Sequence, residues 1–218
     1  MRLVLLGPPG AGKGTQAARL AERHGWRHIA SGDLFRRHVQ EGTELGTQVR
    51  SYLDRGELVP DELTVRMVME EVARSPAGFV LDGFPRTLPQ AEALERELAA
   101  AGRPLSLALA FVLDEEAAVA RIAGRRTCAR CQRVYNVVFA PPRVEGRCDA
   151  CGGELVQRSD EDEPTVRRRL AVYREQTLPL LGFYGGRGLL REVDAGGTEE
   201  EVAAKVEAIL QEAGGGDP

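Results

Sequence analysis

Short apolar runs alternate with amphipathic stretches along most of the chain, which predicts parallel strands connected by helices. The runs are almost continuously apolar, as is typical of strands buried on both faces of a sheet. The predicted strands cover residues 2–6, 27–30, 78–82, 105–113 and 189–193. The predicted helices cover residues 13–24, 31–41, 44–55, 61–72, 87–101, 115–124, 164–182 and 198–213. The pattern therefore predicts an α/β fold with a three-layer core around a five-stranded parallel sheet.

Two segments, 31–59 and 125–162, do not follow this alternation. The first is helical throughout, and the second is rich in arginine, cysteine and proline. Because open α/β sheets bind ligands beyond the carboxyl ends of their strands, we expect both segments to be insertions at that edge. The core domain is then expected to comprise residues 1–30, 60–124 and 163–218.

Four predicted helices begin beside a residue whose side chain can cap a helix N-terminus, namely Ser31, Asp61, Asp114 and Thr198. Thr198 is followed three residues later by a glutamate, which is the signature of a capping box. Residues 214–218 are expected to be disordered.

Composition limits the possible partners. The chain has 218 residues, a formal charge of −4 and a pI near 5.6, which argue against a surface built to bind nucleic acid or membranes. No apolar run approaches the ~20 residues that a membrane helix needs. We therefore expect a cytoplasmic protein, monomeric by default, that carries insertions on one domain.

A glycine-rich loop, Gly7–Thr15, follows the first predicted strand and precedes the first predicted helix. This order of elements makes G-x-x-x-x-G-K a phosphate-binding loop rather than an incidental turn. Its glycines, at positions 7, 10, 12 and 14, allow backbone angles that turn several N–H groups towards one anion. Lys13, one of only two lysines in the chain, adds a mobile charge for the outer phosphates.

The loop does not carry the usual magnesium ligand. A Ser or Thr normally follows the lysine, whereas here Gly14 intervenes and Thr15 comes one place later. The loop therefore predicts phosphate binding without direct ligation of Mg²⁺. Asp82, at the end of a predicted strand, is a candidate to hold Mg²⁺ through water, the alternative being an ordinary turn residue.

Four cysteines form two C-x-x-C pairs, separated by sixteen residues. This spacing is typical of a structural zinc site, because four thiolates close a tetrahedron and leave no position for water. Disulfides are disfavoured by a cytosolic location, and a redox pair by the distance from any βα turn. We predict that Zn²⁺, or another thiophilic tetrahedral ion, is bound by Cys128, Cys131, Cys148 and Cys151.

Arginine is concentrated around these cysteines. Residues 121–147 contain seven arginines and one acid, Glu145. Three interpretations are open, namely a solvated charged surface, a zinc ribbon that binds nucleic acid, and a lid that closes over phosphates. Only the last also gives a use to the glycine loop.

The segment 83–90 carries a second anion-binding candidate. Arg86 can clamp an anion through two parallel hydrogen bonds. Gln90 can read a base through its amide, but Thr87-x-x-Gln90 is also a capping-box pattern, so its side chain could instead bond the backbone.

Together these motifs resemble the adenylate kinases, in particular the long bacterial form with a zinc-binding lid, within the nucleoside monophosphate kinases. The resemblance covers nearly the whole chain through GPPGAGKGT (7–15), SGDLFR (31–36), LDGFPRT with Gln90 (81–90), RIAGRR (121–126), the two cysteine pairs and TVRRRL (165–170). It implies reversible transfer of the terminal phosphoryl group of ATP, bound with Mg²⁺, to AMP. It also identifies 31–59 as the AMP-binding insertion and 125–162 as the lid.

The resemblance implies the site residues as well. The ATP site would include Gly10, Ala11, Gly12, Lys13, Gly14, Thr15, Arg121, Arg125, Val134, Tyr135 and Gly197. The AMP site would include Ser31, Arg36, Glu57, Leu58, Val59, Gly83, Phe84, Pro85, Arg86, Gln90, Arg158 and Arg169. Lys13, Arg86, Arg125, Arg158 and Arg169 would act on the transferring phosphoryl group.

Two positions at the return hinge of the lid depart from the family pattern. Glu161 stands where many relatives have Asp, and Pro164 where an acid is common. Both concern the motion of the lid and not the chemistry. The rival functions are a kinase for another nucleoside monophosphate, a kinase that uses GTP as donor, and, more distantly, a zinc-ribbon ATPase that binds nucleic acid.

Overall fold

The apolar runs form one parallel sheet in the computed structural model, which describes residues 1–214. Within these residues the strands are β1 (Arg2–Leu6), β2 (Arg27–Ala30), β3 (Phe79–Asp82), β4 (Leu107–Val112), β5 (Arg125–Cys128), β6 (Val134–Asn136), β7 (Leu155–Val156) and β8 (Leu190–Asp194). The α-helices are α1 (Lys13–His24), α2 (Ser31–Gln40), α3 (Glu44–Asp54), α4 (Asp61–Ala73), α5 (Leu88–Ala100), α6 (Glu115–Ala123), α7 (Glu163–Val172), α8 (Leu180–Gly185) and α9 (Glu199–Gly214).

Five strands pair in the order β2-β3-β1-β4-β8, and all four pairings are parallel. The five-stranded sheet predicted from the sequence is therefore confirmed, with shorter third and fourth strands and a fifth strand displaced by one residue. Leu5 of β1 and Ala30 of β2 both pair with Asp82 of β3, so the loops after these strands open at the same edge. That edge is where the phosphate-binding motifs meet.

Alternate side chains of each strand point to opposite faces and build two hydrophobic layers. On one face Leu81 and Phe84 pack against α4, α5 and α8. On the other face Leu5 and Phe111 pack against α1 and α9. Helices cover both faces, which gives the predicted three-layer core.

The two segments outside the alternation form separate substructures at the ligand edge. Helices α2 and α3 pair after β2. Strands β6-β5-β7 form a small antiparallel sheet, which the sequence pattern did not predict. We call residues 125–162 the lid. Its buried cluster contains only Cys128, Tyr135, Cys148 and Leu155.

The cap predictions have mixed outcomes. Asp114 caps α6 by accepting from two backbone N–H groups, and Thr198 forms its capping box with Glu201. The predictions for Ser31 and Asp61 were wrong, because both residues are the first of their helices. The hydroxyl of Ser31 instead donates to the carbonyl of Gly83, and the carboxylate of Asp61 accepts from two side chains of the next motif.

The single helix predicted over 164–182 is interrupted. A π-helical turn, Tyr173–Thr177, follows α7, and the N–H of Leu178 bonds the carbonyl of Tyr173 five residues back. Pro179 lacks an N–H and its ring would collide with the preceding turn of an α-helix, so the chain widens before α8 begins. Gly214 ends α9, and the rest of the segment predicted to be disordered lies outside the described residues. Within residues 1–214, no helix has both the length and the apolar character needed to cross a bilayer.

Candidate active site

The glycine loop turns sharply between β1 and α1. Gly12 has φ 82°, a conformation that a side chain would strain, and a Cβ on Gly7 would lie 2.7 Å from the carbonyl oxygen of Phe111. Gly14 differs from the expectation for the four glycines, because it lies within the helix. A Cβ there would lie 3.1 Å from a carboxylate oxygen of Asp82. Gly14 is therefore required because Asp82 approaches it closely, and not because of its backbone angles.

Lys13 folds back over the loop. Its Nζ donates to the carbonyl of Gly7 at 2.8 Å and to that of Pro8 at 2.9 Å. Burial of the ammonium lowers the pKa of Lys13 to about 8, although the carboxylate of Asp82 acts in the opposite direction. The lysine is thus held at the mouth of the loop with its charge poorly solvated.

Asp82 lies beside a histidine that sequence reasoning left out of the site. Nε2 of His28 is 3.7 Å from Oδ2 of Asp82. Burial opposes the charge of Asp82, but His28 and Lys13 outweigh it and hold the pKa of this carboxyl below its usual value. Only the parallel pairing of β2 with β3 brings the two residues together, so no local signal could have found His28.

Five arginines from separate elements converge beyond the loop. We call Arg36, Arg86, Arg125, Arg158 and Arg169 the arginine ring, and all five line the same cavity. Burial, followed by the charges of neighbouring arginines, lowers the pKa of Arg158 to about 10. Within residues 1–214, Nε of Arg36, Nη2 of Arg125 and Nε of Arg158 are buried without a hydrogen-bond partner. The ring therefore carries donors suited to further anionic acceptors.

Acidic side chains balance part of this charge. Arg169 bonds the carboxylate of Asp160 at 2.7 Å. Glu161 is fully buried, bonds Nε of Arg125 at 2.5 Å and accepts the backbone N–H of Arg158 at 3.1 Å. Glu161 thus bonds two ring arginines, one at the start of the lid and one near its end. Pro164 lies in the first turn of α7, where proline is tolerated.

One cavity of about 880 Å³ unites the loop, the ring and the lid. The predicted residues that line it are Gly10, Ala11, Gly12, Lys13, Gly14, Thr15, Arg36, Glu57, Leu58, Asp82, Gly83, Pro85, Arg86, Arg121, Arg125, Val134, Tyr135, Arg158, Arg169 and Gly197. Sequence reasoning missed Phe139, which is exposed on the lid and lines the same cavity. No motif or spacing singled it out.

Four predicted residues are not among those that line this cavity. Ser31, Phe84 and Gln90 are buried, with Phe84 fully enclosed in the core. Val59 lines an adjoining cavity of about 730 Å³, which shares Glu57 and Leu58 with the main one. These residues lie behind the surface of the predicted AMP site.

The capping interpretation of Gln90 finds partial support, whereas its role in reading a base stays a prediction. The backbone N–H of Gln90 bonds the hydroxyl of Thr87 at 3.3 Å, which is one half of the capping box. Its side chain does not complete the box. Instead Oε1 accepts the backbone N–H of Arg86 at 2.8 Å, and Nε2 donates to Asp61 at 2.6 Å.

Core and lid residues both bond at the lid end of the cavity. Nη2 of Arg121 donates to the carbonyl of Gly197 at 3.1 Å. The hydroxyl of Tyr135 accepts the backbone N–H of Asp149 at 2.8 Å and lies 3.5 Å from Sγ of Cys148. Tyr135 therefore contacts the cysteine cluster through its hydroxyl while it lines the cavity.

The four cysteines form one cluster, with their sulfur atoms all within 4.8 Å of one another. Two of the Sγ–Sγ distances are 3.5 Å. A Zn–S bond of about 2.3 Å places tetrahedral sulfurs roughly 3.8 Å apart, so the cluster fits zinc in both donor type and size. A Cβ on Gly153 would lie 2.9 Å from Sγ of Cys128, which shows how closely the backbone wraps the site.

Comparisons with known proteins bear on this site. The family model described as adenylate kinase matches residues 5–189. The adenylate kinase of Thermodesulfovibrio yellowstonii is 49% identical over 97% of this chain and 99% of its own length. Those of Acidothermus cellulolyticus and Archaeoglobus fulgidus are 50% and 47% identical, each over 97% of this chain and 98% of their own lengths.

Proposed function

The chain belongs to the adenylate kinase family and transfers the terminal phosphoryl group of ATP to AMP, and we propose that Lys13 and the arginine ring carry out this transfer. The convergence of these six cations, from separate elements, on one cavity is the observation that carries the proposal. The product of the forward reaction is two molecules of ADP.

Electrostatics is the main task of such a site. Two polyanions must be brought together, and charge spreads over the oxygens of the transferring group. The attacking oxygen of AMP is already anionic near neutral pH, so the reaction needs no general base. Fixed cations in a cavity that excludes water stabilise this charge without reorganisation. The unpartnered donors of Arg36, Arg125 and Arg158 are therefore the groups we assign to phosphate oxygens.

We assign the donor site to the loop and the lid. The β- and γ-phosphates of ATP would lie against the backbone of Gly10–Thr15 and Lys13, with the base between the lid and the Gly197 segment. Arg121, Val134 and Tyr135 line that end of the cavity, which supports the assignment. Mg²⁺ bound with ATP would neutralise phosphate charge, and Asp82, beside Gly14, is the residue we assign to hold it through water.

We assign the acceptor site to the insertion 31–59 and the segment 83–90. Arg36, Arg86, Arg158 and Arg169 would hold the AMP phosphate, and Gln90 would read the base. Glu57, Leu58, Val59, Gly83 and Pro85 would form the walls, supported by their places in the two cavities. Ser31 and Phe84 would support these walls from behind.

We assign zinc a structural role in the lid, held by the four cysteines. Residues 31–59 and 125–162 are the two insertions we propose to close over the substrates.

A cytoplasmic location and a monomeric state remain predictions. Light scattering on purified protein tests the latter, since a mass of 23.7 kDa is expected.

Product analysis tests the proposal against its rivals. The protein is incubated with ATP or GTP and a panel of monophosphates, namely AMP, CMP, UMP, GMP and IMP. We expect ATP with AMP to give the highest kcat/KM. A higher value with another acceptor or with GTP would identify a different kinase. Salt-sensitive binding of DNA or RNA without phosphotransfer would favour the nucleic-acid-binding ATPase.

A further inference from the structure

Asp61, which sequence reasoning treated only as a helix cap, holds the side chains of two residues of the acceptor motif. Its Oδ2 accepts the hydroxyl of Thr87 at 2.8 Å, and its Oδ1 accepts Nε2 of Gln90 at 2.6 Å. On its other side Gln90 accepts the backbone N–H of Arg86 at 2.8 Å. Gln90 itself is 2% exposed. A buried amide is thus held between one acceptor and one donor.

These two partners allow the amide only one orientation. An ionised carboxylate only accepts hydrogen bonds, and a backbone N–H only donates them. If the amide of Gln90 turned over, its oxygen would face the carboxylate of Asp61 and its nitrogen would face the N–H of Arg86. Both hydrogen bonds would become repulsive contacts in a buried place. The orientation is therefore set by Asp61 together with the backbone.

Orientation matters because an amide can read a purine in two ways. Each partner uses only part of the amide, so one N–H and one lone pair of Gln90 remain. At their Watson–Crick edges, adenine offers a donor at N6 and an acceptor at N1, whereas hypoxanthine offers an acceptor at O6 and a donor at N1. One orientation of the amide complements adenine, and the reversed orientation complements the 6-oxo purine.

We propose that Asp61 is a positioning residue that fixes the amide of Gln90 and thereby selects 6-aminopurine over 6-oxopurine monophosphates. The inference rests on the proposed function, in which Gln90 reads the acceptor base. Asp61 acts through Gln90 and Thr87. Because Asp61 lies in the first turn of α4, its charge also stabilises the N-terminus of that helix. The test must distinguish this structural role from the positioning of Gln90.

The test compares AMP with IMP as acceptors for Asp61→Asn. An asparagine can either accept from or donate to Gln90, so in the reversed orientation of the amide only the contact with the backbone N–H of Arg86 stays repulsive. We expect the ratio of kcat/KM for AMP to that for IMP to fall by about tenfold or more, since a charge-assisted hydrogen bond is lost. The decisive part of this change is an absolute rise in kcat/KM for IMP.

Glu62→Gln is the matched control. Glu62 lies in the same first turn of α4, is exposed, and has no side-chain hydrogen bond within residues 1–214. Its variant loses the same charge at the helix terminus and should keep the parent ratio. If Asp61→Asn does not fold, Asp61→Ser replaces it, because the shorter side chain withdraws the acceptor from Nε2 of Gln90 and again frees the amide to reverse, so the same result is expected.

Gln90→Leu separates the two levels of the argument. If this variant keeps the preference for AMP over IMP, Gln90 does not read the base and the proposed function of that residue fails. If Gln90→Leu loses the preference while folded Asp61→Asn keeps it, only the inference about Asp61 is overturned. A fall for AMP with no gain for IMP in Asp61→Asn would likewise overturn it, since that result reflects general weakening.

Discussion

The phosphate-binding loop and the lid line the same cavity, but the chain holds them in shape by different means. The loop joins β1, whose last four residues are at most 2% exposed, to α1, which packs on the same sheet. The lid has a buried cluster of four residues, two of which are cysteines. A segment with so small a core needs another source of stability. The comparison indicates that the phosphate loop is stabilised by hydrophobic burial, and we infer that the lid depends on the metal its four cysteines are proposed to bind.

The largest effect should come from the loop itself. Lys13→Ala removes the ammonium at the mouth of the loop. We expect turnover to fall by about a thousandfold or more, because a fixed charge that acts on the transferring phosphoryl group is lost. Melting temperature should change little, since the strand and the helix that hold the loop are untouched. Steady-state assays and thermal melts measure both quantities.

The matched control is Lys205→Ala, which removes the other lysine. Lys205 forms a surface ion pair with Asp194 at 2.8 Å, far along the chain from the loop. Its variant should keep parent activity. Transfer within about tenfold of the parent in Lys13→Ala would show that the loop assignment is wrong.

The lid should respond in the opposite way, with a large effect on stability and a smaller one on chemistry. Removing the metal, or replacing both Cys128 and Cys131 by Ser, takes away on the order of 10 kcal/mol of local folding free energy. We expect a marked fall in melting temperature with substantial transfer at low temperature. Hydrolysis of ATP should rise relative to transfer, because a loosened lid admits water.

Metal analysis, thermal melts and parallel assays of transfer and hydrolysis measure these changes, and restoring Zn²⁺ to the metal-free parent is the control. Restored zinc should return both the melting temperature and the ratio of transfer to hydrolysis. Complete loss of transfer in metal-free protein that is demonstrably folded would show that the metal takes part in the chemistry, and would contradict a purely structural role for it.

A smaller change should affect the cysteine cluster from the side that faces the cavity. Tyr135→Phe removes the hydroxyl that contacts Sγ of Cys148 and the N–H of Asp149. Outer-sphere partners of this kind typically alter metal affinity by about 10–100-fold, and we expect a loss near the lower figure. Competition with a chromophoric chelator measures it. Tyr52→Phe, in helix α3, is the control and should leave metal affinity unchanged. If Tyr135→Phe binds the metal as tightly as the parent protein, the hydroxyl of Tyr135 does not contribute to the metal site.

Local sequence signals predicted the sheet and the loop well, because each depends on neighbours in the chain. Apolar runs predicted the strands, and the order of strand, glycines and lysine predicted the turn at Gly7–Lys13. The spacing of the cysteines predicted their cluster for the same reason. In each case the signal itself is a pattern of residues that are close together in the chain, although the strands and cysteine pairs that then meet are far apart.

Contacts between distant segments could not be predicted in this way. His28 meets Asp82 only through the pairing of two strands, and Asp61 meets Gln90 only through the packing of α4 on α5. Side chains with such partners no longer serve the roles that local patterns suggest, which is why Asp61 does not cap its helix. The lid strands were missed for a related reason, since their small sheet is too polar to show an apolar alternation.

The smallest predicted effect concerns the charge of Lys13 and sharpens the account of the loop. In the free protein the pKa of Lys13 is lowered to about 8 by burial, so the ammonium loses its proton as pH rises through that value. Bound polyphosphate stabilises the charged form and raises the pKa, because an adjacent anion favours an ammonium. Binding therefore requires the protonated lysine.

By linkage, the dissociation constant for ATP should be flat below pH 7, increase about twofold at pH 8 and about tenfold at pH 9. The phosphates do not titrate in this window, since their second pKa is about 6, and Arg158 and Arg169 stay largely charged, because their lowered pKa values are still about 10. Calorimetry without AMP, in buffers of different ionisation enthalpy, measures both the affinity and the uptake of about half a proton at pH 8.

Lys13→Met is the control and should bind ATP weakly with no change between pH 7 and 9. A parent protein whose affinity is equally flat, with no proton uptake, would show that the lysine keeps its charge in the free loop and that its burial does not tune nucleotide binding.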